Sequence, residues 1–110
     1  MASKELIGAS AELLVLGVIA KEPSYGYQVV KRLNDESDGL LAWQEGTIYP
    51  ILHKLEKAEF VRAQWQDADT GRQRKYYYIT AAGRKRLSSG AEDFAAVGTL
   101  VAKLAGVKNA

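Results

Sequence analysis

The chain has 110 residues, with 15 basic and 13 acidic side chains, 47% hydrophobic residues and 25% charged residues. This composition indicates one globular domain rather than a disordered segment, of a size at which self-association usefully adds to a small core. The absence of cysteine excludes disulfides, thiolate metal sites and cysteine nucleophiles, and it fits a reducing compartment. With a single histidine, a zinc site made by the protein alone is not expected.

No apolar run has the length of a membrane span. The first residues, Met1 to Leu6, lack the charge, apolar run and small-residue cleavage site of a signal peptide. We therefore expect a soluble, cytoplasmic protein that makes no membrane contact.

The charges are unevenly distributed although the formal net charge is only +2. The segment 71–91 contains no acidic residue, and its basic residues are Arg72, Arg74, Lys75, Arg84, Lys85 and Arg86. A surface that faces an anion needs such an asymmetry. A solvated basic patch without a partner is the alternative.

The first part of the chain predicts two helices. The segment from Leu6 to Lys21 is apolar on nearly every side, which is typical of a central helix, and Ser3 or Ser10 can cap its start. After the proline at position 23, Ser24 is predicted to cap a second helix that runs from Tyr25 to about Glu36. The aromatic residues assigned to the core or to helix packing are Tyr25, Tyr27 and Tyr76.

A turn at Asp38-Gly39 and a short extended piece, Leu40–Gln44, precede a predicted third helix, Glu45–Lys57. One face of this helix is an apolar stripe with helical spacing: Ile48, Ile51, Leu52 and Leu55. The opposite face carries hydrogen-bond donors and a proline that we place in the first turn: Thr47, Tyr49, Pro50, His53, Lys54 and Lys57. This pattern is typical of a recognition helix, and an ordinary solvated helix is the alternative.

A two-stranded wing is predicted next. Val61–Trp65 alternates apolar and polar residues, Asp67–Arg74 has the composition of a loop, and Lys75–Ile79 is rich in aromatic residues. The predicted fold class is mainly α with a small β-hairpin. It comprises a winged helix-turn-helix domain in residues 1–80 and a C-terminal dimerisation helix in 81–110, packed as one compact unit.

The last helix is predicted to start after the cap Thr80 and to run to about Val107. It carries a seam whose members are spaced alternately by three and four residues: Leu87, Gly90, Phe94, Val97, Val101 and Leu104. We interpret this seam as the interface of a homodimer. Packing against the first helix of the same chain is the alternative.

In this order and spacing, the elements resemble the PadR family of bacterial transcriptional regulators, and most of all its short subfamily with one dimerising helix. The resemblance extends from about Ala11 to about Leu104. The motifs that carry it are Leu16-Gly17-Val18-Ile19, Ser24-Tyr25-Gly26-Tyr27, Gly46-Thr47-Ile48-Tyr49-Pro50-Ile51-Leu52, Leu55-Glu56-Lys57, Gly71-Arg72-Gln73-Arg74-Lys75-Tyr76-Tyr77, Ile79-Thr80 and Gly83.

Two positions depart from the family pattern: Glu59 replaces a usual glycine, and Gln73 a frequent proline or glycine. A left-handed conformation at Glu59, after the third helix, would cost about 1 kcal/mol of strain. The substitution at Gln73 bears on the turn geometry of the wing and leaves its basic residues in place.

The resemblance implies a DNA-binding regulator, most often a repressor, of genes for efflux or for handling phenolic or toxic compounds. The third helix is expected to enter the major groove of double-stranded DNA. We expect Thr47, Tyr49 and His53 to bond base edges or phosphates, beside Pro50. Lys54 and Lys57 are expected to contact phosphates. On the wing, Arg72, Arg74 and Lys75 are expected to reach the DNA backbone or the adjacent minor groove. A two-fold homodimer places two such helices about 34 Å apart on a palindromic operator.

The dimer centre is the natural place for a small aromatic or planar effector, because some relatives carry an aromatic residue near the position of Phe94. The residues predicted to line the dimer interface or this pocket are Leu13, Leu14, Phe94, Val97, Val101 and Leu104. A closed dimer core is the alternative. No cofactor is expected.

An enzyme is the least favoured function, because the sequence has no phosphate-binding loop and no dinucleotide signature. A winged-helix adaptor between proteins is a stronger competitor, since a fold does not determine its function. A small-molecule-binding dimer without DNA-binding activity is also compatible with the sequence.

Overall fold

Four helices and a three-stranded antiparallel sheet form the fold of the computed structural model, which describes residues 3–108. The elements in chain order are α1 (Lys4–Lys21), β1 (Ser24–Tyr25), α2 (Gly26–Glu36), α3 (Glu45–Lys57), β2 (Val61–Asp67), β3 (Gln73–Ile79) and α4 (Ala81–Ala105). The pair α2–α3, the hairpin β2–β3 and the long α4 confirm the expected winged helix-turn-helix with a C-terminal helix. Within the described residues, no helix is both long and apolar enough to cross a membrane.

The core lies where α1, α2, α3 and the hairpin meet. The apolar stripe predicted for α3 faces the core: Ile48, Leu52 and Leu55 are fully buried, and Ile51 is partly buried. They pack in one cluster with buried residues of α1 and with Tyr77 of β3. Full burial of an aliphatic side chain contributes about 1.5–3 kcal/mol. The buried side of α3 therefore fixes the helix against the domain and leaves its other side in solvent.

The sheet has the strand order β1–β3–β2. The hairpin register pairs Val61 with Ile79 and Trp65 with Lys75. On the other edge of β3, Ser24 pairs with Tyr77. The strand β1 was not predicted, and the extended piece expected at Leu40–Gln44 is not a strand. A two-residue strand carries no periodicity of its own and exists only through its pairing with β3.

The link between α1 and α2 differs from the prediction. Ser24 is not the cap of α2, because it lies fully buried in β1, donates its hydroxyl to the carbonyl of Glu22 and accepts a hydrogen bond from Arg32. The N-cap of α2 is Tyr25, whose backbone N–H donates to the side chain of Gln28. Of the three tyrosines assigned to the core or to helix packing, Tyr27 is exposed.

The position predicted for the proline of α3 was also wrong. The helix begins at Glu45, so Pro50 lies in its second turn rather than its first. There it removes the N–H that would donate to the carbonyl of Gly46 and opens the backbone ladder on the exposed side.

The helix ends in a Schellman motif, with N–H groups of Glu59 and Phe60 donating to the carbonyls of Glu56 and Leu55. Glu59 has a φ of 63°. The left-handed conformation considered for Glu59 is therefore present.

Helix α4 joins the domain through its first half. Thr80 caps it by accepting the N–H of Gly83, as predicted, and a left-handed Gly106 ends it just before the expected Val107. A Cβ at Gly83 would lie 2.0 Å from the carbonyl oxygen of Phe60, so only glycine allows this approach. Gly90 likewise contacts Leu13 of α1. Beyond Gly90, most of α4 is exposed.

Candidate nucleic-acid interface

The outer face of α3 presents its polar side chains to solvent. All six residues predicted there are exposed: Thr47, Tyr49, Pro50, His53, Lys54 and Lys57. The ring of Tyr49 lies directly over Gly26, where a Cβ would come within 2.6 Å of the Tyr49 hydroxyl. The missing side chain at Gly26 thus lets this tyrosine lie against the start of α2. The face combines hydroxyl, imidazole and ammonium groups, all of which can donate to phosphates or base edges.

A cleft of about 340 Å³ separates α3 from the wing. Tyr49 and His53 line it from the helix, and Trp65 and Gln73 line it from the hairpin. No role was predicted for Trp65, yet 62% of it is exposed. Trp65 therefore belongs to the surface of this cleft and not to the core. The alternation of Val61–Trp65 puts Trp65 on the same face as buried Val61, so no sequence signal indicated its exposure.

Two of the arginines of the wing were predicted to bind DNA, and they differ in how they are held. Arg72 is exposed beside Gly71, whose φ of 79° forms the turn between β2 and β3. Arg74 is half-buried, and its guanidinium carbon lies 4.4 Å from the ring centroid of Tyr25. Tyr25 in turn meets Tyr76 edge to face, with centroids 5.4 Å apart. Arg72 is therefore an exposed cation at the tip of the wing, and Arg74, close to that tip at the start of β3, is oriented by Tyr25.

Lys75 lines the cleft as well, but its ammonium is held by partners within the protein. Its ammonium donates to Glu56 at 3.2 Å and lies 5.4 Å from the ring centroid of Tyr77. Burial opposes the charge, but the hydrogen bond to Glu56, with Tyr77 beside it, raises the pKa of Lys75 above its ordinary value of 10.5. Burial also raises the pKa of Tyr77. Lys75 thus braces the wing against the end of α3, a role that the sequence did not indicate.

Lys54 also has an internal partner, although it remains in solvent. Its ammonium lies 3.3 Å from a carboxylate oxygen of Glu12 on α1. Lys57, one turn further along α3, is exposed. Among residues 3–108, no group of three or more His, Asp or Glu side chains is placed to hold a metal ion.

On the far side of α1, an apolar groove of about 550 Å³ opens between α1, α4 and the end of α2. Leu13, Leu14 and Phe94, three of the residues predicted for the dimer or effector site, line it. The other three lie further along α4 and do not line the groove. They are exposed to 61% at Val97, 58% at Val101 and 78% at Leu104. The structure therefore divides the predicted set into a groove and an open apolar stripe.

Comparison with known proteins identifies relatives of the whole arrangement. The family model described as the transcriptional regulator PadR-like family matches residues 15–89. A PadR-like transcriptional regulator from Bacillus cereus is 28% identical, with 96% of this chain and 100% of that one covered and a TM-score of 0.81. A PadR family transcriptional regulator from Eggerthella lenta is 29% identical over 94% of this chain and 88% of that one, with a TM-score of 0.82. A protein of Lysinibacillus sphaericus described as uncharacterized is 28% identical over 101 residues, which cover 92% of this chain and 93% of the relative.

Proposed function

The chain belongs to the PadR-like family of transcriptional regulators, and on this premise we propose that it is a homodimeric repressor that binds a palindromic operator and is released by a small planar ligand. The observation that carries the proposal is the exposed donor face of α3. The apolar side of this helix is buried in the core, and Arg72 is exposed at the tip of the wing. Such a surface suits the polyanionic backbone and the major groove of a duplex.

Within this proposal, α3 enters the major groove. Thr47, Tyr49 and His53 contact base edges or nearby phosphates, and the ring of Pro50 adds a rigid apolar side chain to this surface. Lys54, Lys57 and Arg72 bind phosphates. Arg74 is held near the tip of the wing by Tyr25, and Lys75 supports the interface by bracing the wing rather than by touching DNA. Base contacts give sequence preference, and the phosphate contacts fix the register of the protein on the duplex.

The stripe on α4 supports the homodimer. Val97, Val101 and Leu104 are more than half exposed in the single chain and lie on one side of a helix that leaves the domain. Contiguous apolar surface of this kind marks contacts between proteins. Pairing two copies through α4 buries the stripe and places two α3 helices on one face, about 34 Å apart if they read adjacent turns of the duplex.

The groove beside α1 supports a ligand-responsive regulator. Its walls are almost wholly apolar, and Phe94 offers a ring on which a flat molecule can stack. Because α1 also packs against α3, a molecule in the groove acts on the helix that supports the recognition helix. A planar aromatic ligand is therefore expected to weaken DNA binding.

The test is a selection of bound fragments from a library of the source organism's own chromosomal DNA, followed by titration of the recovered duplex by fluorescence anisotropy. The proposal expects saturable binding, two half-sites about one helical turn apart, and repression of a reporter placed behind the site. It also expects a planar aromatic dye that binds the groove to raise the dissociation constant for the duplex. If no fragment is enriched and no duplex binds, an adaptor or a purely ligand-binding dimer replaces the regulator.

A further inference from the structure

One acidic side chain of the central helix reaches the edge of the DNA-facing surface. Glu12 lies on α1 between Ala11, which is buried, and Leu13, which lines the apolar groove. Its carboxylate does not enter the groove, because it meets the ammonium of Lys54 at 3.3 Å. Lys54 belongs to the outer face of α3. A single ion pair therefore joins α1 to the surface that is proposed to bind DNA.

We propose that Glu12 sets the affinity of the protein for DNA by competing with a backbone phosphate for Lys54. This inference rests on the proposed function. In the free protein, Lys54 is held by Glu12. On binding, the ammonium moves to a phosphate and leaves the carboxylate of Glu12 behind as a fixed negative charge near the duplex.

The exposure of the two side chains allows this exchange. The side chain of Lys54 is 72% exposed and that of Glu12 is 30% exposed. An ion pair in solvent is weak because water screens it. Lysine also carries its charge on a flexible four-carbon stem, so the ammonium can leave one partner for another without moving the helix.

Glu12 itself stays in place, because the buried side of α1 is fixed in the core. A phosphate that the ammonium reaches close to its present position lies within a Debye length of about 8–10 Å from this carboxylate. The carboxylate therefore repels the duplex once the ammonium has left it.

Two of the other ion pairs in the described part of the chain differ from Glu12–Lys54 in burial or in position. Lys75 and Glu56 are both partly buried and hold two elements of the interface together. Lys21 and Glu36 form an exposed pair between α1 and α2 at 3.0 Å, with no member on the face of α3 or on the wing. Glu36 is therefore a matched control for Glu12, because its removal breaks an exposed Lys–Glu pair and changes the net charge equally.

The experiment compares Glu12→Gln, Glu36→Gln and Lys54→Gln in the full chain. Binding of a fluorescein-labelled, mixed-sequence DNA duplex is measured by fluorescence anisotropy across a series of salt concentrations. Glu12→Gln is expected to bind about two- to fivefold more tightly than wild type, the range of a broken surface pair. The slope of log affinity against log salt is expected to be steeper for Glu12→Gln than for wild type by up to about 0.9. This is the slope that one fully neutralised phosphate contributes, and without Glu12 no carboxylate competes for Lys54. Glu36→Gln is expected to stay close to wild type.

The double variant Glu12→Gln/Lys54→Gln separates competition for Lys54 from simple loss of a negative charge. Once Lys54 is neutral, Glu12→Gln should change the affinity no more than Glu36→Gln does. A gain that persists in this background overturns the inference, as does an equal response of Glu12→Gln and Glu36→Gln. Wild-type protein that binds the duplex while Glu12→Gln shows no gain rejects this inference alone. Wild-type protein that fails to bind even at low salt rejects the proposed function and this inference with it.

Discussion

The guanidinium of Arg74 lies over the ring of Tyr25, with 4.4 Å between the guanidinium carbon and the ring centroid. Tyr25 is the N-cap of α2 and pairs with Tyr76 in the sheet, so its ring is fixed by two elements. Arg74 of the wing is therefore oriented by the first residues of the helix-turn-helix. This contact ties the position of the wing to the helices that precede it.

Replacing Tyr25 with leucine should weaken DNA binding about two- to fivefold, the value of one exposed cation–π contact. Arg74 keeps its charge in this variant but loses its orientation. Tyr25→Phe keeps the ring and should bind as wild type does in the same anisotropy titration. Equal losses in both variants would show that the hydroxyl, and not the stacking of Arg74, matters.

The left-handed residue that ends α3 offers a stability test. Glu59 has a φ of 63°, a conformation that costs a residue with a side chain about 1–2 kcal/mol. Glu59→Gly should therefore raise the free energy of unfolding by about 1 kcal/mol in urea titrations. Its neighbour Ala58 has a φ of −80°, so Ala58→Gly should lower that free energy instead. A lower free energy of unfolding in Glu59→Gly would show that the left-handed conformation of Glu59 is not strained.

The brace between Lys75 and Glu56 predicts a dependence on pH. Folding raises the pKa of Lys75, so the stability that its charge supplies is fully present below the ordinary value of 10.5 and is lost as the pH rises through the higher folded-state value. Glu56→Gln should lower the free energy of unfolding by up to about 1 kcal/mol at neutral pH. The difference from wild type should shrink as the pH rises above the ordinary value of 10.5 and Lys75 loses its charge in both proteins.

Urea titrations of wild type and Glu56→Gln at neutral pH and at a pH above 10.5 measure this difference directly. Most of the general alkaline loss of stability cancels, because the two proteins differ only in the charge of residue 56 and in its effect on Lys75 and Tyr77. A difference that stays constant from neutral to alkaline pH would assign the effect of Glu56 to packing and not to its charge pair with Lys75.

The open stripe of α4 predicts that a charge will prevent self-association. Val101→Asp places a carboxylate in the middle of the stripe and should give a monomer or an unfolded chain in light scattering combined with circular dichroism. Thr99→Asp, on the other side of the same turn, carries the same charge and should leave the dimer intact. A dimeric Val101→Asp would move the interface away from this stripe.

The helices and the hairpin could be predicted because each carries its own periodicity. Ile48, Leu52 and Leu55 recur at helical spacing, and their burial follows directly from that pattern. The strand β1 could not be predicted, since Ser24 and Tyr25 become a strand only when β3 lies beside them. Ser24 was assigned to a helix cap for the same reason: a serine after a proline suits a cap, and its burial is visible only in the fold.

The candidate site shows a similar division. The sequence predicts that the outer face of α3 is exposed, because the opposite face is apolar. It does not predict which carboxylates pair with the lysines of the site. Glu12 meets Lys54, and Glu56 meets Lys75, across elements that are distant in the sequence. Local patterns identify which residues are basic, whereas long-range packing decides which of them are held by carboxylates. Trp65 was missed because a strand tryptophan looks like core until its exposure is known.

The central claim is that DNA is bound by the outer face of α3 and the tip of the wing. The most direct measurement is the slope of log affinity against log salt for Lys57→Ala/Arg72→Ala, compared with Lys21→Ala/Lys103→Ala, which removes two cations outside this surface. The slope of the first variant should be shallower than wild type by about 1.8, the loss of two phosphate contacts. The control should keep the wild-type slope. Equal slopes for wild type and both variants would contradict the claim.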